Sequence, residues 1–353
     1  MNRTFSGHIH IFHAFDIGDD VNFEQIKKEH LLIRKPLQLP RYFKNYHKPF
    51  SAELPHPHAR SYEGHIRLYP FGALSLQYKM PFESTLEDLR PLLQKLVAEF
   101  SEQSISDAAT IFNDIEPAIK QPNFFHIKKS YILLHVNPQQ NLTVSELKDT
   151  VGAQIASLLR FDDETLSEFK RNEILKKAFG YYRGDLIAID SNVSFIYDND
   201  YEDIVDLFEF ANIQHLELQY FDKLLDKQLS TAYNREIIPI SPKELIPFWS
   251  TINMSQTQKL SMLQVEISVI TERLENSIRL SEEPYYSELY EALSSELDLN
   301  NWKESIHKKL AITKDVSDLY ENRSEVIRGD MFNTLISILI FLELMLALIS
   351  HMS

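Results

Sequence analysis

Imidazole is the chemistry-bearing group that this sequence concentrates. Eight of the thirteen histidines, His8, His10, His13, His30, His47, His56, His58 and His65, fall within the first 65 residues. Imidazole nitrogen is a good ligand for zinc and other transition metals. His8 and His10 stand two apart in an alternating run and share one face of a strand. His56-Pro57-His58 presents a second pair, so His8, His10, His56 and His58 are the candidate metal ligands. The competing reading is a set of solvated or core-edge histidines, because the spacing matches no established ligand set and no H-E-x-x-H is present. A second grouping is acidic: Asp185, Asp190, Asp198, Asp200, Glu202, Asp203, Asp206 and Glu209. Carboxylates suit hard cations, but the EF-hand pattern with its mid-loop glycine is missing, which favours a solvated acidic face.

The sharpest single residue is Glu343. It lies near the middle of Phe332–Ile349, FNTLISILIFLELMLALI, where an ionised carboxylate costs several kcal/mol. About 18 residues at about 1.5 Å each span roughly 27 Å, close to a hydrocarbon core of about 30 Å. A buried core helix is the alternative, but the apolar residues surround the helix instead of forming one stripe. Glu343 is then either protonated or bonded across a helix–helix contact, or it is a proton or cation site in a ring of spans. Both readings require neighbouring spans and so imply self-association. Lys308, Lys309, Lys314, Arg323 and Arg328 precede the segment, and only Ser350, His351, Met352 and Ser353 follow. The positive-inside rule puts the bulk of the chain in the cytoplasm, with this segment as a tail anchor in a bacterial inner (plasma) membrane.

Other chemistry is excluded by what the chain of 353 residues lacks. Zero cysteines leave no disulfide, thiol nucleophile, zinc–cysteine site or iron–sulfur cluster. No G-x-S-x-G, P-loop, kinase or dinucleotide fingerprint occurs, and nothing places a nucleophile beside a base. Neither an enzyme nor a bound cofactor is therefore expected. A net charge of −15 makes nucleic acid an improbable partner. The N-terminus carries no secretory h-region and no Arg/Ser-rich transit pattern, so neither signal is expected. A hydrophobic fraction of 44% rules out a disordered chain.

The elements that must position these residues read as follows. Ser6–Phe15 alternates as a strand, and Asp20 is positioned to cap a short helix through Leu31. Residues 34–61 look irregular. Gly64–Met80 reads as two strands around Pro70–Gly72. Ser84 or Thr85 starts a helix through Glu102, and Ser106–Lys120 is a second helical pattern. Phe124–Val136 is a strand, followed by a helix Val144–Leu159 capped by Thr143. Tyr182–Asp190 and Val193–Tyr197 flank Ser191-Asn192, a two-residue hairpin signal, and a long helix follows over Asp200–Leu229. Hairpin then helix thus occurs twice, at 64–102 and 182–229. Beyond Pro242 the pattern is wholly helical. Leu260, Leu263, Ile267, Ile270, Leu274 and Ile278 step by three and four, a coiled-coil-like seam. Pro284 breaks it, Tyr285–Leu297 is a short helix, and a last helix runs from Leu299 to Ile349 with Gly329 as its one possible break.

Glu283-Pro284, Glu288-Leu289-Tyr290-Glu291-Ala292, Leu297-Asp298-Leu299 and the helix into the apolar segment with Glu343 resemble the required-for-meiotic-nuclear-division (sporulation protein) family. The resemblance covers roughly 245–350. It implies a membrane-anchored, oligomeric protein without catalytic residues. The layout is also similar to CorA-type magnesium channels, as an architectural analogy only, since those need a second span and a Gly-Met-Asn loop.

These observations together predict an α+β cytoplasmic domain over 1–240, an antiparallel helical stalk over 241–330, one transmembrane helix over 331–350 and a short tail at 351–353. The expected function is a tail-anchored, homo-oligomeric scaffold or tether at the cytoplasmic membrane face, with the membrane, further copies of itself and a protein as partners. The alternatives are an ion-conducting or membrane-perturbing assembly of single spans, and a metal-dependent enzyme anchored by its tail.

Overall fold

The computed structural model describes residues 3–37, 40, 48–54, 62–125, 128–161, 166–180, 184–234, 256–276 and 283–352. It is a mixed α+β structure with a large sheet and many helices, one of them long and strongly apolar. The chain divides into two compact units. The first comprises Met1–Gln219 and Thr271–Trp302, and the second Tyr220–Ile270 and Lys303–Ser353. The division therefore cuts the 241–330 segment at two places.

The first unit is built on a seven-stranded sheet with strand order β3-β4-β5-β1-β7-β9-β8. Its strands are β1 (Thr4–Asp16), β3 (Phe50–Glu53), β4 (Glu63–Leu68), β5 (Ala73–Thr85), β7 (Lys128–Val136), β8 (Leu186–Ile189) and β9 (Val193–Tyr197). Short β2 (Asp20–Val21) and β6 (Ile119–Lys120) pair separately. All neighbours in the large sheet are antiparallel except β7 and β9. The β4–β5 turn closes through Gly72 N–H donating to the Tyr69 carbonyl at 3.1 Å. Gly72 has φ of +91°, and a Cβ there would lie 1.6 Å from the Gly18 carbonyl oxygen, so glycine alone fits.

Side-chain alternation gives the sheet two different faces. Odd-numbered Phe5, Ile9, Ile11 and Phe15 of β1 enter the main hydrophobic core. The same core takes Leu89, Leu93, Phe100, Ala108 and Ile111 from α2 (Leu86–Ile115) and Leu147, Val151, Ile155 and Leu159 from α3 (Val144–Arg160). Even-numbered His8, His10, Phe12 and Asp16 point to the opposite face. There the N-terminal half of α5 (Glu202–Asn234) packs through Phe208 against Tyr131 and Phe210 against Tyr69. The two hairpin-then-helix segments thus flank one sheet, with α2 and α5 on opposite faces.

Several local expectations change. The short helix α1 (Phe23–Lys28) is capped by Asn22, whose Oδ1 accepts from Gln25 N–H, and not by Asp20. Asp20 instead pairs in β2 and accepts from Arg273 Nη1 at 2.8 Å. The two helices expected over 84–102 and 106–120 are one. Its buried positions Leu93, Phe100, Ser104, Asp107 and Ile111 continue at helical spacing through Ser101–Ser106, where no glycine or proline interrupts. Helix α4 (Glu168–Lys176), capped by Ser167, has only Ile174 buried, so its apolar period is too weak to read. Thr143 caps α3 as expected, in a capping box with Glu146.

Among the described residues, the remaining α-helices are α6 (Gln256–Asn276), α7 (Pro284–Glu296) and α8 (Leu299–Met352). Helix α8 runs unbroken for 54 residues, Gly329 included. In the second unit, Lys309 on α8 donates to Asp222 and Asp226 of α5, each at 2.7 Å. Ser305 adds a bond to Asp222 at 2.8 Å.

Candidate functional site

The polar face of the sheet follows from three alternating runs: His8 and His10 on β1; Glu63, His65 and Arg67 on β4; Ser75, Gln77 and Lys79 on β5. Strand register sets them side by side. His10 stands opposite Lys79, Gln77 opposite His65, Ser75 opposite Arg67, and His8 opposite His135. Directly paired residues share a face, so the register gathers four imidazoles, an amide and two cations in one patch. A pocket of about 470 Å³ opens there, lined by His10, His65, Gln77, Lys79, Lys35 and Tyr201 among others.

The patch is internally ordered. Gln77 Nε2 donates to His10 Nδ1 at 2.8 Å, and the Gln77 side chain also bonds that of His65. His135 Nε2 donates to the Asp198 carbonyl at 2.8 Å, which leaves its Nδ1 as a buried acceptor without a partner. The His135 and Tyr201 rings stack at 3.5 Å, and His8 stacks on His135 at 5.9 Å. In the pocket lining, Arg67 donates from Nη2 to Asp206 at 2.5 Å and pairs from Nη1 with Glu209 at 2.8 Å. Asp206 and Glu209, three apart on α5, face the sheet on one side of the helix. Two members of the acidic run are therefore a buried ion network and not a solvated face.

Electrostatics keep the imidazoles neutral. Burial, then the Lys79 charge, holds His10 well below its ordinary value. Burial, then Arg67, Lys35 and Lys79, lowers His65 to about 3. Burial lowers His135 to about 4, against a bond to the Asp198 carbonyl that favours the charged form. Burial outweighs Arg67 at Asp206 and lifts that carboxyl to about 6.

Of the residues expected to act, His8 and His10 do come together, with ring centroids 6.3 Å apart. His56 and His58 lie outside the described residues. Among the described residues, no three His, Asp or Glu side chains are placed to hold a metal ion. Of the seam on α6, Ile267, Ile270 and Leu274 are buried and Leu263 half-buried, while Ile278 lies outside the described residues. Glu343 is exposed on α8 within Glu325–Ser350, the stretch long and apolar enough to cross a membrane. The sequence reading did not single out Gln77, Lys79, Arg67, Tyr201 or His135. The signal was the period-two polar positions on β4 and β5, which mark a sheet face that is not part of the main core.

Fold and site together define a class of α+β protein with a polar pocket on a mixed sheet and an apolar C-terminal helix. The chain belongs to the family described as Uncharacterized protein MJ0711, N-terminal domain, whose model matches residues 6–203. It is similar to Uncharacterized protein MJ0711 of Methanocaldococcus jannaschii, with 28% identity over 200 residues, 55% of this chain. The match spans 58% of that relative's length. No solved structure matches the chain. This family replaces the resemblance to the required-for-meiotic-nuclear-division proteins: the match lies in the N-terminal part, while that resemblance rested on 245–350. A short acidic helix ahead of a long apolar one is a generic pattern, whereas the matched region contains the large sheet except the first two residues of β1.

Proposed function

We propose that the protein is anchored in a membrane by α8 and acts as a scaffold or tether that self-associates through the span, without catalysing a reaction. The observation that carries this is the stretch Glu325–Ser350: 26 helical residues whose most apolar part is wholly unburied. Phe332, Leu335, Ile336, Ile338, Leu339, Ile340, Phe341 and Leu342 are each about half exposed or more. A contiguous apolar surface of that size drives aggregation in water, and a bilayer supplies its natural cover.

Self-association draws support from the polar groups of the span. Thr334 and Ser337 hydroxyls donate to carbonyls one turn back, of Asp330 and Asn333, at 2.8 and 2.9 Å. They are satisfied within their own helix. Glu343 has no partner among the described residues. A second span beside it is the simplest source of one in hydrocarbon. The test is flotation of membranes from cells making the full chain, followed by an alkaline carbonate wash. The chain should float and resist extraction. Its recovery in the detergent-free supernatant would overturn the proposal.

A further inference from the structure

The pocket on the polar sheet face is unexplained by anchoring, and its groups are arranged for a ligand. His10 is 2% exposed and lines the pocket. Its Nδ1 accepts from Gln77, so the neutral ring carries its proton on Nε2, and that N–H has no acceptor. A buried donor without an acceptor costs free energy that a bound acceptor recovers.

Two ammonium groups line the same pocket. Lys79 is half-buried, lies 5.8 Å from the Tyr201 ring centroid, and has no ion-pair partner among the described residues. Lys35 is also half-buried and without a side-chain partner among them. The acidic residues of the lining are otherwise engaged or peripheral. Asp206 is taken by Arg67, Asp203 accepts from Tyr286 at 3.3 Å, and Glu63 and Glu202 are exposed. The charges that bear on His10 and His65 are cationic: Lys79 on both, Arg67 and Lys35 on His65. The volume, about 470 Å³, suits a metabolite-sized molecule and exceeds what a bare ion needs.

We propose that this pocket binds a small molecule through an oxyanion, a phosphate or carboxylate group held by Lys79, Lys35 and the Nε2–H of His10. The site is independent of the anchoring proposal and stands or falls separately. The experiment is isothermal titration of the full chain in mild detergent with inorganic phosphate and, in a second arm, acetate, each against chloride at equal ionic strength. One arm or both should saturate at one per chain, and the arm that binds tighter identifies the group. Lys79→Gln should weaken that binding by about tenfold or more, since it removes a charge-assisted bond. Lys35→Gln supplies the same test if Lys79→Gln fails to fold by circular dichroism. Lys170→Gln, on exposed α4, should leave binding unchanged. Absence of saturable binding by either probe, or wild-type affinity in the folded lysine variants, would overturn the proposal.

Discussion

Replacing Arg67 by methionine probes the packing of α5 on the sheet. Arg67 is 6% exposed and offsets two carboxylates, Asp206 and Glu209, whose side chains are 11% and 0% exposed. The methionine keeps most of the volume and removes the charge. Breaking a buried ion pair from one side costs about 3–5 kcal/mol, because the charge left behind is neither solvated nor paired. Here two carboxylates are abandoned, although Asp206, already lifted to about 6, can take up a proton and soften the loss. At about 1.4 kcal/mol per decade, the range corresponds to roughly two to three and a half decades in an opening equilibrium. Amide hydrogen exchange on the full chain reads this locally, without assuming that both compact units unfold together. The amides of Ile66 and Leu76, on the strands beside and carrying Arg67, should lose protection by that amount. Adding Asp206→Leu and Glu209→Leu to the methionine variant should recover most of it, since an all-apolar replacement leaves no orphaned charge. A loss smaller than tenfold for Arg67→Met alone would refute the view that this network joins helix to sheet.

Further outcomes are expected. Asp16, buried at the end of β1 and beside Asp19, is pushed up to about 8, and Glu217 is raised by burial and by Asp16. Asp16 folds in the protonated form, so its contribution is complete below the unfolded-chain value near 4 and is lost as pH rises towards 8. Asp16→Asn should flatten that decline in exchange-derived stability between pH 5 and 8, and an unchanged slope would refute it. Thr143→Ala removes the oxygen that accepts from Glu146 N–H at 3.3 Å and should destabilise the first turn of α3 by about 1 kcal/mol, read by its amides. Glu343→Leu should improve membrane insertion and weaken oligomers in mild detergent, each lost interhelical bond being worth about 0.6–2 kcal/mol. Glu343→Gln should retain assembly, and an unchanged oligomer mass in the leucine variant would place the side chain outside any packed contact.

Much of the fold was legible because its signals are local. Alternation in Ser6–Phe15 gave β1, Pro70–Gly72 gave the β4–β5 turn, Ser191-Asn192 gave the β8–β9 turn, and Thr143 gave the start of α3. The site was less legible because the pairing of β1 with strands distant in sequence, which no local pattern encodes, puts His10 opposite Lys79 and His8 opposite His135. The acidic run misled in the same way. Asp206 and Glu209 read as solvated until Arg67, 139 residues away from Asp206 in sequence, is seen to meet them. The family assignment failed because it rested on helices whose pattern many proteins share, while the matched residues 6–203 offered no familiar motif.

The membrane crossing proposed for α8 can be tested with single reporters, because the sequence supplies a clean background. With no native cysteine, single cysteines placed along α8 report only their own surroundings. In intact membranes, a water-soluble maleimide should label Glu304→Cys and Asp315→Cys readily. Labelling should collapse at Ser337→Cys, Leu342→Cys and Leu346→Cys and return once detergent and denaturant open the bilayer. Equal labelling along the whole helix in intact membranes would show that α8 does not cross the bilayer.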